Sequence, residues 1–187
     1  MKILVTVAKG FIGKNLVAEL KNQKYMDIFE YDIDTDVCLL DDYCKDAEFV
    51  FHLAGVNRPK EETEFMEGNF GFTSILLDSL KRHRNTCPVM LASSTQAERN
   101  NPYGKSKKAG EDLLLEYGRR VGAKALVYRF PNVFGKWCRP SYNSAVATFC
   151  HNIANDLPIV VNDRDVVMSL VYIDDVVEEL INAFGGK

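Results

Sequence analysis

Short apolar runs alternate with longer stretches of helical periodicity along this chain, and that alternation limits the folds open to it more than any other feature. Strands are expected at 2–6, 27–32, 48–54, 88–93 and 125–130, and helices at about 11–22, 62–83, 102–121, 142–155 and 173–184. The first and third runs, around Ile3-Leu4-Val5 and Phe49-Val50-Phe51, are continuously hydrophobic rather than alternating, the pattern of strands buried on both faces. The pattern therefore predicts an α/β protein, a doubly wound parallel sheet with helices on both faces. With 187 residues, 47% hydrophobic and 26% charged, and with no repeat or Pro/Gly-rich linker, it is expected to form one domain over 1–187.

Composition narrows the partner classes. Lys and Arg total 23 against 26 Asp and Glu, a formal net charge of −3, so electrostatics gives no reason to expect nucleic acid or an anionic membrane. No apolar stretch approaches the roughly 20 residues of a membrane span, and the chain opens directly on a strand. The five cysteines are odd in number and form no CxxC pair, and the histidines are scattered singly. A reducing cytoplasm and no metal site are the expectation.

After the first strand comes Thr6-Val7-Ala8-Lys9-Gly10-Phe11-Ile12-Gly13, then an amphipathic segment from Lys14 to Leu20. Strand, glycine turn and helix form the setting of a Rossmann-type dinucleotide fingerprint, whose backbone N–H groups and helix N-terminus hold a pyrophosphate. The spacing resembles GxxGxxG, with Gly10 and Gly13 as its second and third glycines and Val7 where the first belongs. A β-branched residue at positive φ costs on the order of 1–2 kcal/mol and crowds the cofactor, which implies binding weakened about tenfold or more. Asp32, 22 residues after Gly10, closes the second strand where a carboxylate can accept the hydroxyls of an adenosine ribose. An aspartate there repels a 2′-phosphate and leans toward NAD over NADP; alternatively, Asp32 only opens the acidic loop to Asp36.

The main chemical signal is Asn101-Pro102-Tyr103-Gly104-Lys105-Ser106-Lys107. Asn101 suits a helix N-cap and Pro102 the first helical position, so Tyr103 and Lys107 share a face at i, i+4. A phenol of ordinary pKa about 10 becomes an acid–base group near neutrality when a cation favours its ionised form, a role open to Lys107, which can also reach a cofactor ribose. A hydroxyl donor to polarise a substrate oxygen is the third requirement. Ser93, Ser94 and Thr95 end the fourth strand, and Ser94 is the choice. A YxxxK spacing alone is common on surface helices, where the tyrosine is an anchor and the lysine a solvated charge.

Together TVAKGFIG, HLAGVNRP (His52–Pro59), NPYGKSK, YRFPNVFGKW (Tyr128–Trp137) and YIDDV (Tyr172–Val176) resemble the extended short-chain dehydrogenase/reductase superfamily, its NAD-dependent epimerase/dehydratase group. Within that group the chain is similar to the CapF-type capsular-polysaccharide reductases, which reduce a 4-keto-6-deoxy UDP-HexNAc on the way to UDP-N-acetyl-L-fucosamine. The resemblance implies NAD(H) or NADP(H) as cofactor and a UDP-sugar as substrate. It implies a catalytic triad of Ser94, Tyr103 and Lys107, and a cofactor lining of Gly10, Phe11, Ile12, Gly13, Asp32, Leu53, Ala54, Gly55, Asn69 and Pro131, with Tyr103 and Lys107 contributing. Asn132 beside the sugar, with Asn57, Arg58, Lys136 and Asn143, are candidates for substrate or loop contacts. A homodimer through the helices around 62–83 and 102–121 is also implied.

Three features depart from that family pattern. Val7 breaks the fingerprint; Ser94 and Tyr103 lie only 9 residues apart; and such enzymes continue past the position of Lys187 into more of the substrate lobe and, in the CapF type, a cupin domain. The substrate lobe is thus expected to be incomplete here and the cupin absent. The expected function is reduction at C4 of a keto-sugar nucleotide. The alternatives are a nucleotide-sugar 4-epimerase, or a non-catalytic Rossmann binding module disabled by Val7. Thr95-Gln96 after Ser94, in place of an acidic pair, argues against a dehydratase.

Overall fold

In the computed structural model, which describes residues 1–161 and 164–185, the continuous apolar runs become the sheet interior. Strands β1 (Ile3–Thr6), β3 (Phe49–His52) and β4 (Val89–Ser94) are buried at every residue. With β2 (Ile28–Tyr31) and β5 (Ala125–Phe130) they form a five-stranded, all-parallel sheet in the order β2-β1-β3-β4-β5. The order reverses direction at β1/β3, the switch point at which open α/β sheets bind ligands beyond their carboxyl ends.

Helix α1 (Phe11–Asn22) follows β1 and α2 (Val37–Asp46) follows β2. After β3, a single-turn α3 (Thr63–Phe65), a π-helical turn (Met66–Gly71) and α4 (Phe72–Arg82) run on continuously. A 3-10 turn (Thr95–Glu98) and α5 (Pro102–Val121) follow β4. The main hydrophobic cluster packs Leu76 and Leu80 of α4, Leu114 of α5 and Leu40 of α2 against Val50 and Leu91 of the sheet.

The sequence shows no sign of α2, because its apolar pattern is thin: Leu40 and Cys44 are buried while Val37 is 75% exposed. What starts it is a cap, the Asp36 carboxylate accepting the Cys38 N–H at 2.9 Å. Topology supplies a second signal, since parallel strands need a long crossover between them. The helix expected over 62–83 is interrupted by the π turn, within which Asn69 is buried.

The chain groups into two compact units, Met1–Phe130 and Pro131–Lys187, a division no linker composition announces. The second contains β6 (Asn132–Phe134), α6 (Ala145–Ala154), β7 (Leu170–Tyr172) and α7 (Ile173–Phe184), with β6 and β7 paired in parallel. The two short strands, three residues each, are too brief to register as a pattern in sequence. Among the described residues no helix is long and apolar enough to cross a membrane, and no group of three His, Cys, Asp or Glu side chains is placed to hold a metal ion.

Candidate active site

The residues singled out in the first unit gather at the carboxyl ends of β1 to β4. Val7 follows β1 with φ of 54°, the left-handed region in which a β-branched residue is strained. Its carbonyl accepts the Gly10 N–H at 3.0 Å and closes the turn. Gly13 packs so tightly on that carbonyl and on Ala8 that a Cβ there would overlap both. A Cβ on Gly10 would fall 2.7 Å from Cγ1 of Val7, so the valine side chain leans over the very start of α1. No side chain caps α1 and no acidic residue stands in its first turn, which leaves its N-terminus suited to an anion.

Asp32 fastens this turn to β2. Its Oδ2 accepts the Lys9 N–H at 2.7 Å and its Oδ1 accepts the Ile33 N–H at 2.8 Å. Each carboxylate oxygen retains a second lone pair, enough for a ribose diol. Beside it the Lys9 ammonium pairs with Asp34.

A buried polar chain, not legible in the sequence, supports the segment after β3. The Thr73 hydroxyl donates to the Asn69 carbonyl at 2.6 Å, so it must accept from Nε2–H of His52 at 2.9 Å. Nδ1 of His52 then accepts from the Thr6 hydroxyl at 3.0 Å, and Thr6 Oγ1 in turn accepts the N–H groups of Leu53 and Ala54. Burial, aided by the charge of Lys107, pushes the His52 imidazole down to a pKa of about 3, so it is neutral in this tautomer. Asn69 clamps Val56 by two hydrogen bonds and donates to Ser106 Oγ at 2.9 Å, tying the loop that holds Gly55 to α5.

The short interval between Ser94 and Tyr103 is explained by the turn between them. The 3-10 turn folds straight back, and Gly104 fits where a Cβ would strike the carbonyls of Gln96 and Arg99. Asn101 caps α5 by accepting the Gly104 N–H at 2.7 Å, with Pro102 in the first turn. Tyr103 therefore lands beside the end of β4, its ring 5.6 Å from that of Phe65. Burial raises the phenol's pKa above the ordinary tyrosine value, and a hydrogen bond with Ser94 partly offsets the rise. Ser93 is engaged elsewhere: it donates to buried Glu111 at 2.6 Å, where burial favours the acid form but Arg129 and Ser93 outweigh it and hold the carboxyl below its usual range.

Lys107 is only 7% exposed and donates from Nζ to the Ala92 carbonyl at 3.2 Å. Burial drops its pKa to about 8, against the opposing pull of Glu111. Gly55 is glycine because a Cβ there would collide with the Lys107 ammonium and approach Asn69 Oδ1 to 2.8 Å. The pKa of the phenol rises by burial, with Ser94 acting against that rise, and the Lys107 ammonium is held at the Ala92 carbonyl beside Gly55.

Phe11 and Ile12 are half-buried at the start of α1; Asn57 and Arg58 are exposed on the loop after β3. Pro131, Asn132, Lys136 and Asn143 fall in the second unit. There Asn132 donates its side-chain amide to the Ser169 carbonyl at 3.3 Å, Lys136 pairs with Asp174 at 3.0 Å, and Asn143 is exposed.

In the first unit, the uncapped N-terminus of α1, the Asp32 carboxylate and the Lys107 ammonium beside Gly55 fit the pyrophosphate and two riboses of a nicotinamide dinucleotide. Val7, whose Cγ1 lies 2.7 Å from where a Cβ on Gly10 would sit, leans over that helix terminus.

Known proteins point the same way. The chain is 44% identical to the UDP-2-acetamido-2,6-beta-L-arabino-hexul-4-ose reductase of Pseudomonas aeruginosa over 187 residues, covering all of this chain and 50% of that protein. It superposes on the capsular polysaccharide assembling protein CapF from Staphylococcus aureus with a TM-score of 0.90 at 46% identity, covering 100% of this chain and 51% of that one. MoeE5, solved in complex with UDP-glucose and NAD, matches with a TM-score of 0.82 at 26% identity over 97% of this chain and 71% of its own. The chain thus spans about half the length of the first two relatives. Residues 3–184 match the NAD dependent epimerase/dehydratase family, and on that match, with the parallel sheet and glycine turn above, the chain belongs to that family.

Proposed function

We propose that these 187 residues carry the catalytic and dinucleotide-holding part of an NAD(P)H-dependent reductase that acts at C4 of a 4-keto-6-deoxy UDP-HexNAc sugar, in the synthesis of capsule or O-antigen precursors. The observation that carries this reading is geometric: the Asn101 cap and Gly104 set Tyr103 at the start of α5 next to the turn that follows Ser94, with Lys107 one helical turn on and buried against the Ala92 carbonyl. When bound, the reduced dinucleotide supplies the hydride that adds to C4 of the ketone. Tyr103 donates its proton to the developing alkoxide at O4. Ser94 holds that oxygen and steadies its negative charge. Lys107 keeps a buried positive charge at Gly55, where a nicotinamide ribose would lie, and Asp32 accepts the adenosine ribose hydroxyls. Asn132 and Lys136, with Asn57, Arg58 and Asn143, are the proposed sugar-nucleotide contacts, and Pro131 the neighbour of the nicotinamide. The second unit is the proposed beginning of a substrate lobe.

The test is consumption of NADH or NADPH with a 4-keto-6-deoxy UDP-HexNAc, comparing the protein with Tyr103→Phe. The expected result is loss of turnover with dinucleotide binding kept; unchanged turnover in Tyr103→Phe would refute the reading. A second reading, a Rossmann module that has lost turnover, is favoured by one observation, the strained Val7 leaning over the α1 terminus. It predicts a folded chain that fails to bind dinucleotide. We further propose a homodimer through α4 and α5, supported by the exposed Ile75 and Leu115 on those helices, and a cytoplasmic location. A monomeric mass in light scattering at micromolar concentration would contradict the dimer.

A further inference from the structure

Glu111 is a carboxylate with only 2% of its surface exposed, and the reduction described above makes no use of it. It stands on α5 one turn beyond Lys107 and takes its hydrogen bonds from the sheet. Oε1 accepts the Ser93 hydroxyl at 2.6 Å and Nε–H of Arg129 at 2.8 Å, and Oε2 accepts a second guanidinium N–H at 2.6 Å. Ser93 and Arg129 are register partners on β4 and β5, so the two donors stand side by side on one face of the sheet. The same guanidinium reaches on to Glu98 at 2.7 Å, in the 3-10 turn between Ser94 and Tyr103.

One cluster thus joins the three elements that carry the reacting groups: the end of β4 with Ser94, the turn that follows it, and the helix with Tyr103 and Lys107. Lys107 makes a similar attachment one turn earlier, to the Ala92 carbonyl at 3.2 Å, so residues 92 and 93 are each fastened to a successive turn of α5. Stability alone is a weak reason for this arrangement, because apolar side chains of similar volume often serve as well as a buried ion pair. Apolar side chains do not fix direction, whereas a guanidinium fork on a carboxylate sets both the separation and the rotation of strand against helix.

We propose that Glu111 is a positioning residue of the reductase site: held by Arg129 and Ser93, it sets the end of β4 that carries Ser94 against the face of α5 that carries Tyr103 and Lys107. This rests on the reductase reading above. A charge effect accompanies the geometric one. Lys107 is surrounded by the neutral His52 of β3, the Ala92 carbonyl of β4, Asn69 of the π turn beside Gly55, and the Tyr103 phenol one turn earlier on α5. Glu111 is the carboxylate that favours its ammonium form against burial.

The experiment compares the unaltered chain with Glu111→Gln and with Glu111→Met combined with Arg129→Met, which removes both charges and so leaves no unpaired ion in the interior. Chemical denaturation establishes that each variant is folded. NADH affinity is followed across the titration of Lys107, and kcat and KM are measured with a 4-keto-6-deoxy UDP-HexNAc. In the double variant the expected result is a denaturant midpoint close to that of the unaltered chain, kcat about tenfold lower with KM little changed, and loss of NADH affinity that begins at lower pH. Glu111→Gln should show the same pH displacement in a less stable protein, because Arg129 loses its partner. In the double variant, an unchanged kcat or an NADH pH profile coinciding with that of the unaltered chain would reduce the cluster to a structural tie and overturn the proposal. Failure of the unaltered chain itself to bind NADH or to reduce the keto-sugar refutes the reductase reading, whereas a negative result confined to the variants refutes the positioning role alone.

Discussion

The turn after β1 and the start of α5 meet opposite standards. At α5 each local preference agrees with the fold: Asn101 caps, Pro102 takes the first turn, Gly104 fills a space no Cβ could share, and Gly122 ends the helix in the left-handed region. At the β1 turn the backbone demands a left-handed residue and the sequence offers Val7. Agreement at one and conflict at the other separate two questions, how the reacting groups are placed and how well the dinucleotide is held. The fold tolerates the conflict because the turn is pinned from outside, by Asp32 accepting from Lys9 and by the Tyr31 carbonyl accepting the Ala8 N–H at 3.3 Å.

Variants can break or sharpen this contrast. The largest effect is expected for Tyr103→Phe, which should lower kcat by about 10²–10⁴-fold with KM little changed, as measured in keto-sugar reduction. Lys107→Met should weaken NADH binding sharply. In the unaltered protein that affinity should fall as pH rises through about 8, where the lysine loses its charge. Stability moves the other way. An unfolded lysine keeps its proton to the ordinary value of 10.5, so between about 8 and 10.5 the unfolded state binds more protons and denaturant midpoints should rise with pH, a slope that Lys107→Met removes.

Gly104→Val should cost about 1–3 kcal/mol by chemical denaturation and should lower turnover, since relieving its overlap with Gln96 pushes Tyr103 away from Ser94. Val7→Gly relieves about 1–2 kcal/mol of backbone strain and returns part of it as unfolded-chain entropy. The net gain should be about 1 kcal/mol, or about 2–4 °C in Tm for a chain of this size, accompanied by a dinucleotide Kd about tenfold lower. The smallest effect belongs to Asn101→Ala, a lost cap of about 1 kcal/mol, visible in thermal unfolding.

Much of the sheet and the long helices could be read from the chain, because their apolar periods are long: α1, α5 and α7 begin and end where the pattern does. Helix α2 could not, since a cap and two buried residues carry it, and the π turn at Asn69 leaves no mark on composition. The pairing of Tyr103 with Lys107 was legible because a helix fixes i, i+4 neighbours. The Thr6–His52–Thr73 chain was not, because its members come from three separate elements; its one hint was a polar residue closing each of two apolar strands. Nor does sequence reveal the direction of the Tyr103 shift, which depends on how deeply the ring is buried.

The proposed function requires the β1 turn to hold a dinucleotide despite the side chain of Val7. Calorimetric titration of the unaltered chain and of Val7→Gly with NADH tests it most directly. Micromolar binding to the unaltered chain and binding about tenfold tighter in Val7→Gly are the expected results. Absence of binding in both, with the fold intact, would contradict it.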